Sequence, residues 1–219
     1  MVSNLLSIIN YHYIHIIILF YYYNIVMSKT PKLDQYGRIL SKILRHTAPD
    51  YGLEIEPGGW VSVSALLEKV TKLREVDLGQ VVAKDAKGRF LMEAREDGMY
   101  IRANQGHSIA SVLDEHLLTP ITDLGQIPDA IHGTYVEALP FIMETGLCRM
   151  RRNNIHFAIK RTTKAGIRKN AQVFIYLDLE RVIRDGIKLY ISKNNVVLSP
   201  GIGEQGCIPP EYFKKIEPI

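Results

Sequence analysis

The sequence predicts an α+β protein, with a winged helix-turn-helix lobe in its N-terminal half and a strand-rich lobe in its C-terminal half. Three observations predict it. Apolar residues recur at helical spacing over 33–44 and again after positions 64 and 77. A hairpin signal follows at 90–103. Beyond residue 130, short β-branched and aromatic runs alternate with turn residues.

Leu33, Tyr36, Ile39, Leu40, Ile43 and Leu44 keep the i, i+3, i+4, i+7 period of one helix face. That helix should stop before Pro49, which leaves Arg45 and His46 on its last turn. Gly58-Gly59 precede a short extended run at 60–63. Ser64 is placed to cap a second helix carrying Leu66, Leu67 and Val70. Asp77 is placed to cap a third, with Leu78, Val81 and Val82 inward. Residues 90–94 and 99–103 flank the turn Glu96-Asp97-Gly98. Three helices and then a two-stranded wing is the order of a winged helix-turn-helix module.

Residues 104–130, with Pro120, Gly125 and Pro128, read in part as a linker. Strands are expected at 131–134, 155–159, 173–178, 189–192 and 196–199. A helix carrying Val136, Leu139, Ile142 and Met143 should end at Gly146. The expected division is 28–112 for the first lobe and 113–219 for the second.

Residues 1–26 are set apart: they hold no Lys, Arg, Asp or Glu, so every charged side chain lies in 27–219. The stretch lacks the basic start and small-residue cleavage site of a secretory signal. His12, His15 and Asn24 interrupt a membrane span. The preferred reading takes Met27 as the start and leaves 1–26 out of the fold, with a membrane anchor as the alternative.

Across its 219 residues the chain carries 27 Lys+Arg against 23 Asp+Glu, a net charge of +4, which permits a polyanionic partner. With 47% hydrophobic and 23% charged residues, disordered, collagen-like and coiled-coil readings are excluded as the main story. Cys148 and Cys207 are too few for a disulfide scaffold or a four-cysteine zinc site. Their small number suits a reducing compartment and leaves one sequence-distant bridge open. No metal-ligand spacing, phosphate-binding loop, nucleophile elbow or dinucleotide fingerprint occurs, so no metal is expected.

What remains is a set of Arg and His residues at element ends. Arg45-His46 closes a helix, where basic groups also offset the helix dipole. Arg102 ends the wing and is followed by Asn-Gln-Gly-His107-Ser108. That is either a solvated strand end or a cradle for phosphate oxygens. Arg149, Arg151 and Arg152 form a basic run that a solvated turn would also explain. His156 alternates with Ile155 and Phe157, so it faces the side opposite them. His132 before Gly133-Thr134 is weak alone, and no carboxylate pair stands near any of these residues.

Taken together, LSKILRH (40–46), GGWVSVSALL (58–67), YIRANQGHS (100–108), IHGT (131–134), GLCRMRRNNIHFA (146–158), LYISKNNVVLS (189–199) and PPEYF (209–213) resemble the RNA 2′-phosphotransferases. The resemblance implies a winged-helix lobe that binds RNA and an ADP-ribosyltransferase-like lobe that binds NAD, with the site in the cleft between them. It implies catalytic roles for Arg45, His46, Arg102 and Arg152. It implies cofactor contacts at His107, Ser108, His132, Gly133, Thr134, His156 and Val196. Asn154 departs from the family pattern, standing where a histidine is usual, and Arg151 is the alternative register for Arg152. Asn195 stands where a glycine is usual, and asparagine tolerates the positive φ of such a turn.

The implied activity is NAD-dependent removal of the splice-junction 2′-phosphate of tRNA through an ADP-ribosylated RNA. NAD is consumed, and the products are 2′-OH RNA, nicotinamide and ADP-ribose 1″,2″-cyclic phosphate. A 2′-phosphate is already anionic at neutral pH, so it needs no protein carboxylate to activate it. The implied setting is intracellular and cytoplasmic (nuclear in a eukaryote). The implied state is a monomer with no stable protein partner and no membrane attachment unless the leader is real. Two other readings stand beside this one: an ADP-ribosyltransferase of nucleic-acid phosphate ends, and a non-catalytic winged-helix nucleic-acid binder.

Overall fold

A computed structural model describes residues 33–168 and 170–219. The leader at 1–26, and with it the reading of Met27 as the start, lies outside them. Leu33–Lys42 forms α1, with Gly37 and Leu40 buried. The chain then widens into one turn of π-helix, Ile43–Thr47, which ends in Arg45, His46 and Thr47. Single π turns inside α-helices are rare and cluster at functional sites. A short 3₁₀ turn, Pro49–Tyr51, ends the segment at the expected proline.

The second helix, α2 (Val63–Lys69), is capped by Ser62, whose side chain accepts from the Ala65 amide. The expected cap, Ser64, lies inside the helix, with its hydroxyl 2.8 Å from that of Ser62. The backbone decides this, because Ser62 is the last extended residue (φ −61°, ψ 129°). Asp77 caps α3 (Leu78–Ala83) as expected, accepting from Gly79 at 2.8 Å and Gln80 at 3.3 Å.

These helices accompany a three-stranded antiparallel sheet of β1 (Val61–Ser62), β2 (Phe90–Arg95) and β3 (Gly98–Ala103), in the order β1-β3-β2. Its hairpin pairs Phe90 with Ala103 and Arg95 with Gly98. Leu40, Leu44, Leu66, Leu73 and Ile101 are fully buried. Each such side chain contributes about 1.5–3 kcal/mol of transfer free energy.

The rest of the chain holds α4 (Asp114–Leu117), β4 (Thr119–Ile121), β5 (Ile131–Thr134), α5 (Leu139–Thr145), β6 (Leu147–Cys148), β7 (Ile155–Ala158), β8 (Val173–Leu177), α6 (Leu179–Arg184), β9 (Leu189–Ile191), β10 (Val196–Ser199), β11 (Cys207–Ile208) and β12 (Phe213–Pro218). Seven of these strands make one sheet in the order β12-β8-β5-β7-β10-β9-β4. Every pairing in it is antiparallel. The five expected strands are present. Two more, β4 and β12, lie at its edges, and each carries a proline, which a central strand would not tolerate.

The core on this sheet joins Ile155 and Phe157 of β7 to Ile175 and Leu177 of β8, Val197 of β10, Ile142 of α5 and Val182 of α6. A 3₁₀ turn, Val136–Ala138, precedes α5, and Gly146 ends it with φ +86°. A Cβ at Gly146 would run into the Ile208 carbonyl, so glycine is required there. The remaining pair, β6 and β11, forms a two-stranded ribbon in which Cys148 stands opposite Cys207. The two are joined by a disulfide, the bridge that the cysteine count left open. Residues Asp34–Ile219 form one compact unit. Among the described residues, no helix is long and apolar enough to cross a membrane.

Candidate active site

A cavity of about 740 Å³ opens where the π turn, the Lys87–Arg89 turn before β2, the Arg149–Arg152 turn after β6, and the loop between β7 and β8 converge on β5 and β7. Its lining includes seven cationic side chains: Arg45, Lys87, Arg89, Arg149, Arg151, Arg152 and Arg168. Among the described residues, no Asp or Glu lines it. Arg89 is the member with a close counter-charge, Asp85 at 2.8 Å.

Arg45 is aimed by its surroundings. Its guanidinium crosses the face of Gly106, where a Cβ would sit 3.4 Å from Cζ, Nε and Nη1. Gly106 holds φ +90°, so it serves both the backbone turn and the close approach. Nε and Nη2 of Arg45 are buried without a partner. Burial, then the charges of Arg152 and Arg89, lower its pKa to about 10, against the opposing pull of Asp85. It is still a cation at neutral pH, and its donors are unspent.

His46, the next residue, is exposed and places Nδ1 2.9 Å from the Ser108 hydroxyl. The Ser108 amide donates to the Arg45 carbonyl at 2.9 Å. Two strings 62 residues apart are thus pinned together at Ser108. Although the residue as a whole is exposed, partial desolvation of the ring, then Arg152 and Arg45, hold the His46 pKa below its usual value.

Arg152 places Nη1 3.5 Å from His156 Nδ1, and His156 Nε2 lies 2.8 Å from Gln105 Oε1. An arginine only donates, so His156 accepts at Nδ1 and carries its proton on Nε2. Its pKa falls well below the usual value, first by burial and then through Arg152 and Arg45. His132 Nδ1 donates to the His156 carbonyl at 2.9 Å, which assigns its tautomer as well. Burial lowers the His132 pKa more than that hydrogen bond raises it. Both imidazoles lining the cavity are therefore neutral and fixed.

The cavity brings together Arg45, Arg152, His132, Gly133 and His156 of the residues expected from the sequence. Both Arg151 and Arg152 line it, and Arg152 is the one within reach of His156. Arg102 is elsewhere. It lies 4.5 Å from the Trp60 ring, donates to the Gly58 carbonyl at 3.2 Å, and is not among the lining residues. His107 is 3% exposed, with both ring nitrogens unpartnered, beside a void of about 10 Å³ that it shares with Gln105, Asp114 and Asn154. Burial, then Arg45, His46 and Arg102, lower its pKa to about 3. Thr134 and Val196 are buried within the sheet, outside the cavity lining.

Asn154, the departure from the family pattern, is buried and donates to Asp114 Oδ1 at 2.7 Å. Asn195 holds φ +56° in the β9–β10 turn, the conformation expected of it. Lys87, Arg89, Gln105 and Arg168 line the cavity without having been singled out in the sequence. Gln105 belongs to the YIRANQGHS string (100–108). Arg168 had a signal of its own: residues 160–169 contain five basic residues and no acidic one.

Residues 31–201 match the family model described as RNA 2′-phosphotransferase, Tpt1 / KptA family. A Schizosaccharomyces pombe protein is 38% identical over 192 residues, covering 84% of this chain and 51% of that protein. The chain thus spans about half the length of that relative. Danio rerio tRNA 2′-phosphotransferase 1 is 35% identical over 190 residues, with 83% of this chain and 84% of the relative covered. Mus musculus tRNA 2′-phosphotransferase 1 is 36% identical over 190 residues, with 83% and 75% covered.

Proposed function

The chain belongs to the RNA 2′-phosphotransferase, Tpt1 / KptA family, and from that membership we propose that it removes the splice-junction 2′-phosphate of tRNA at the expense of NAD. The observation that carries the reading is the cavity itself, with seven cations, two neutral histidines and no carboxylate. Such a lining suits substrates that bring their own negative charge. A general-base reaction on a neutral nucleophile would call for a carboxylate or a more basic histidine.

The residues present also suit NAD. Two neutral imidazoles, the unspent guanidinium donors of Arg45 and a volume within the roughly 300–1,000 Å³ of ordinary ligand clefts match a dinucleotide pyrophosphate flanked by riboses. His132, Gly133 and His156 would hold its ribose and nicotinamide side. NAD supplies a ribose carbon with a good leaving group. The RNA 2′-phosphate oxygen attacks that carbon, which gives ADP-ribosylated RNA and frees nicotinamide. The neighbouring ribose hydroxyl then attacks phosphorus and expels the RNA 2′-oxygen, leaving 2′-OH RNA and ADP-ribose 1″,2″-cyclic phosphate.

In that second step Arg45 and Arg152 stabilise charge on the phosphate oxygens, and His46 delivers the proton to the departing oxygen. Arg102, only 7% exposed and held against Trp60 with its Nε unpartnered, is proposed to act on the RNA phosphate from beside the cavity. His107 and Ser108 support the site from behind, Ser108 through the bond to His46 and His107 as a buried neutral ring.

We read 28–112 as a winged-helix RNA-binding lobe and 113–219 as an ADP-ribosyltransferase-like lobe. The order of three helices and a hairpin in the first supports this, as does the seven-stranded antiparallel sheet in the second. The proposed setting is intracellular and cytoplasmic, with the chain acting as a monomer. Incubation with NAD and a 2′-phosphorylated oligoribonucleotide should release one nicotinamide per phosphate removed. Phosphate loss with NAD intact would overturn the mechanism. A persistent ADP-ribosylated RNA would favour a terminal ADP-ribosyltransferase.

A further inference from the structure

Met150 lines the cavity, yet 75% of it is exposed. Its backbone holds φ +57°, one of two non-glycine residues in that region among those described. For a long side chain the left-handed conformation is unfavourable and persists only where the surroundings impose it. Scattered exposed apolar residues are ordinary, and Phe141 and Val136 are examples. Met150 differs because the turn that carries it is fixed from several sides. The Arg152 amide donates to the Arg149 carbonyl at 3.1 Å, closing the turn. The Arg149 guanidinium donates to the carbonyls of Arg152, at 3.1 Å, and Glu204, at 3.3 Å. The Arg149 amide donates to Gly206, and Cys148 is bonded to Cys207.

A rigid turn therefore holds an apolar thioether out over the cavity mouth, between guanidiniums. The ligand that satisfies both features is a polyanion that also presents flat apolar faces. We propose that Met150 is a nucleobase contact: the base next to the 2′-phosphorylated nucleotide packs on its side chain while Arg151 and Arg152 take phosphate oxygens. Thioether sulfur is polarisable and packs well on aromatic rings. All four bases offer a π-face, so the contact adds affinity without sequence preference. The inference rests on the RNA reading above. The adenine of NAD has the same chemistry, and the arms of the test separate the two.

The test uses the full chain with Met150→Ala, Met150→Gly and Met150→Leu. On a base-bearing 2′-phosphorylated oligoribonucleotide, Met150→Ala should raise KM roughly five- to fiftyfold, as loss of one base-stacking contact does. KM for NAD should not change, and Met150→Leu should stay near wild type. With an abasic site beside the 2′-phosphorylated nucleotide, wild type should fall to the level of Met150→Ala, and the variant should lose little more. Met150→Gly removes the contact and relieves the backbone, so its KM should rise while its Tm holds or increases. A fluorescent 2-aminopurine at the abasic position gives a readout independent of turnover. Its emission should change on binding wild type and not on binding Met150→Ala. An unchanged KM for base-bearing RNA, an equal loss on the abasic RNA, or a shift in KM for NAD instead would overturn the proposal. Failure of wild type to process any 2′-phosphorylated RNA would strike the functional reading, and the 2-aminopurine signal would still decide the contact.

Discussion

His46 Nδ1 and the Ser108 hydroxyl lie 2.9 Å apart, and the Ser108 amide is itself bonded to the carbonyl of Arg45. The serine fixes where the Arg45-His46 pair points, and its rotating hydroxyl can serve either protonation state of the imidazole. Ser108→Ala should lower kcat for 2′-phosphate removal about tenfold, the scale of one lost hydrogen bond to a charged group, with little change in KM. A steady-state titration in RNA checks it. A pure KM effect would show that Ser108 binds substrate rather than orienting His46.

Partial desolvation of the ring, Arg152 and Arg45 all disfavour the imidazolium of His46, so its pKa lies below the usual value. An acid acts only while protonated, so the second step should slow as pH rises through that lowered value. Arg152→Gln removes one of the causes and should move the decline to higher pH while reducing the maximal rate. Single-turnover rates across pH 4.5–8 would show it. An identical midpoint in the variant would remove His46 from the acid role.

Stability should depend on pH for a separate reason. His107, His132 and His156 are neutral when folded, with pKa values below that of the unfolded chain. The unfolded state then binds more protons as pH falls below about 6.5, and stability drops with it. For His107 the window runs from about 6.5 down to about 3, at up to ~1.4 kcal/mol per pH unit. Urea melts at pH 7 and pH 5 should show the loss, and His107→Gln should flatten it. Equal midpoints at the two pH values in the wild type would contradict this.

Arg152 reaches His156, whereas Arg151 shows no such contact. Arg152→Ala should therefore slow the second step by about a hundred- to thousandfold and let ADP-ribosylated RNA accumulate. Arg151→Ala should weaken RNA binding without that accumulation. A time course on a gel of end-labelled RNA separates them, and accumulation in Arg151→Ala alone would reverse the assignment.

Local chemistry made much of this fold readable. The apolar period of 33–44, the Asp77 cap, the 90–103 hairpin and the β-branched runs of β5, β7, β8 and β10 each carry their own signal. What was not readable depends on partners. Thr119-Pro120-Ile121 and the Lys-rich 213–218 segment become strands because the sheet has edges to fill, and proline or charge hides them in sequence. The π turn is invisible to a 3.6-residue period that continues through it. In the site, motif strings led to Arg45, His132, His156 and the serine beside His107. Lys87, Arg89 and Arg168 come from a hairpin approach and a loop that only the tertiary fold places on one cavity. The Cys148–Cys207 pairing rests on two strands of two residues each, too short to carry a pattern.

A cavity walled by seven cations, of which, among the described residues, Arg89 alone has a close counter-charge, cannot stay bare in solution. Between turnovers it must hold mobile anions, as the bead of an ion exchanger does. Each catalytic cycle is then an exchange: buffer ions leave, RNA and NAD enter, and an anionic product must be displaced in turn. Inorganic phosphate, sulfate and free nucleotides should accordingly act as competitors and also raise the melting temperature, since they bind the folded form alone. Chloride should do so weakly, and the affinity for RNA should fall steeply with ionic strength.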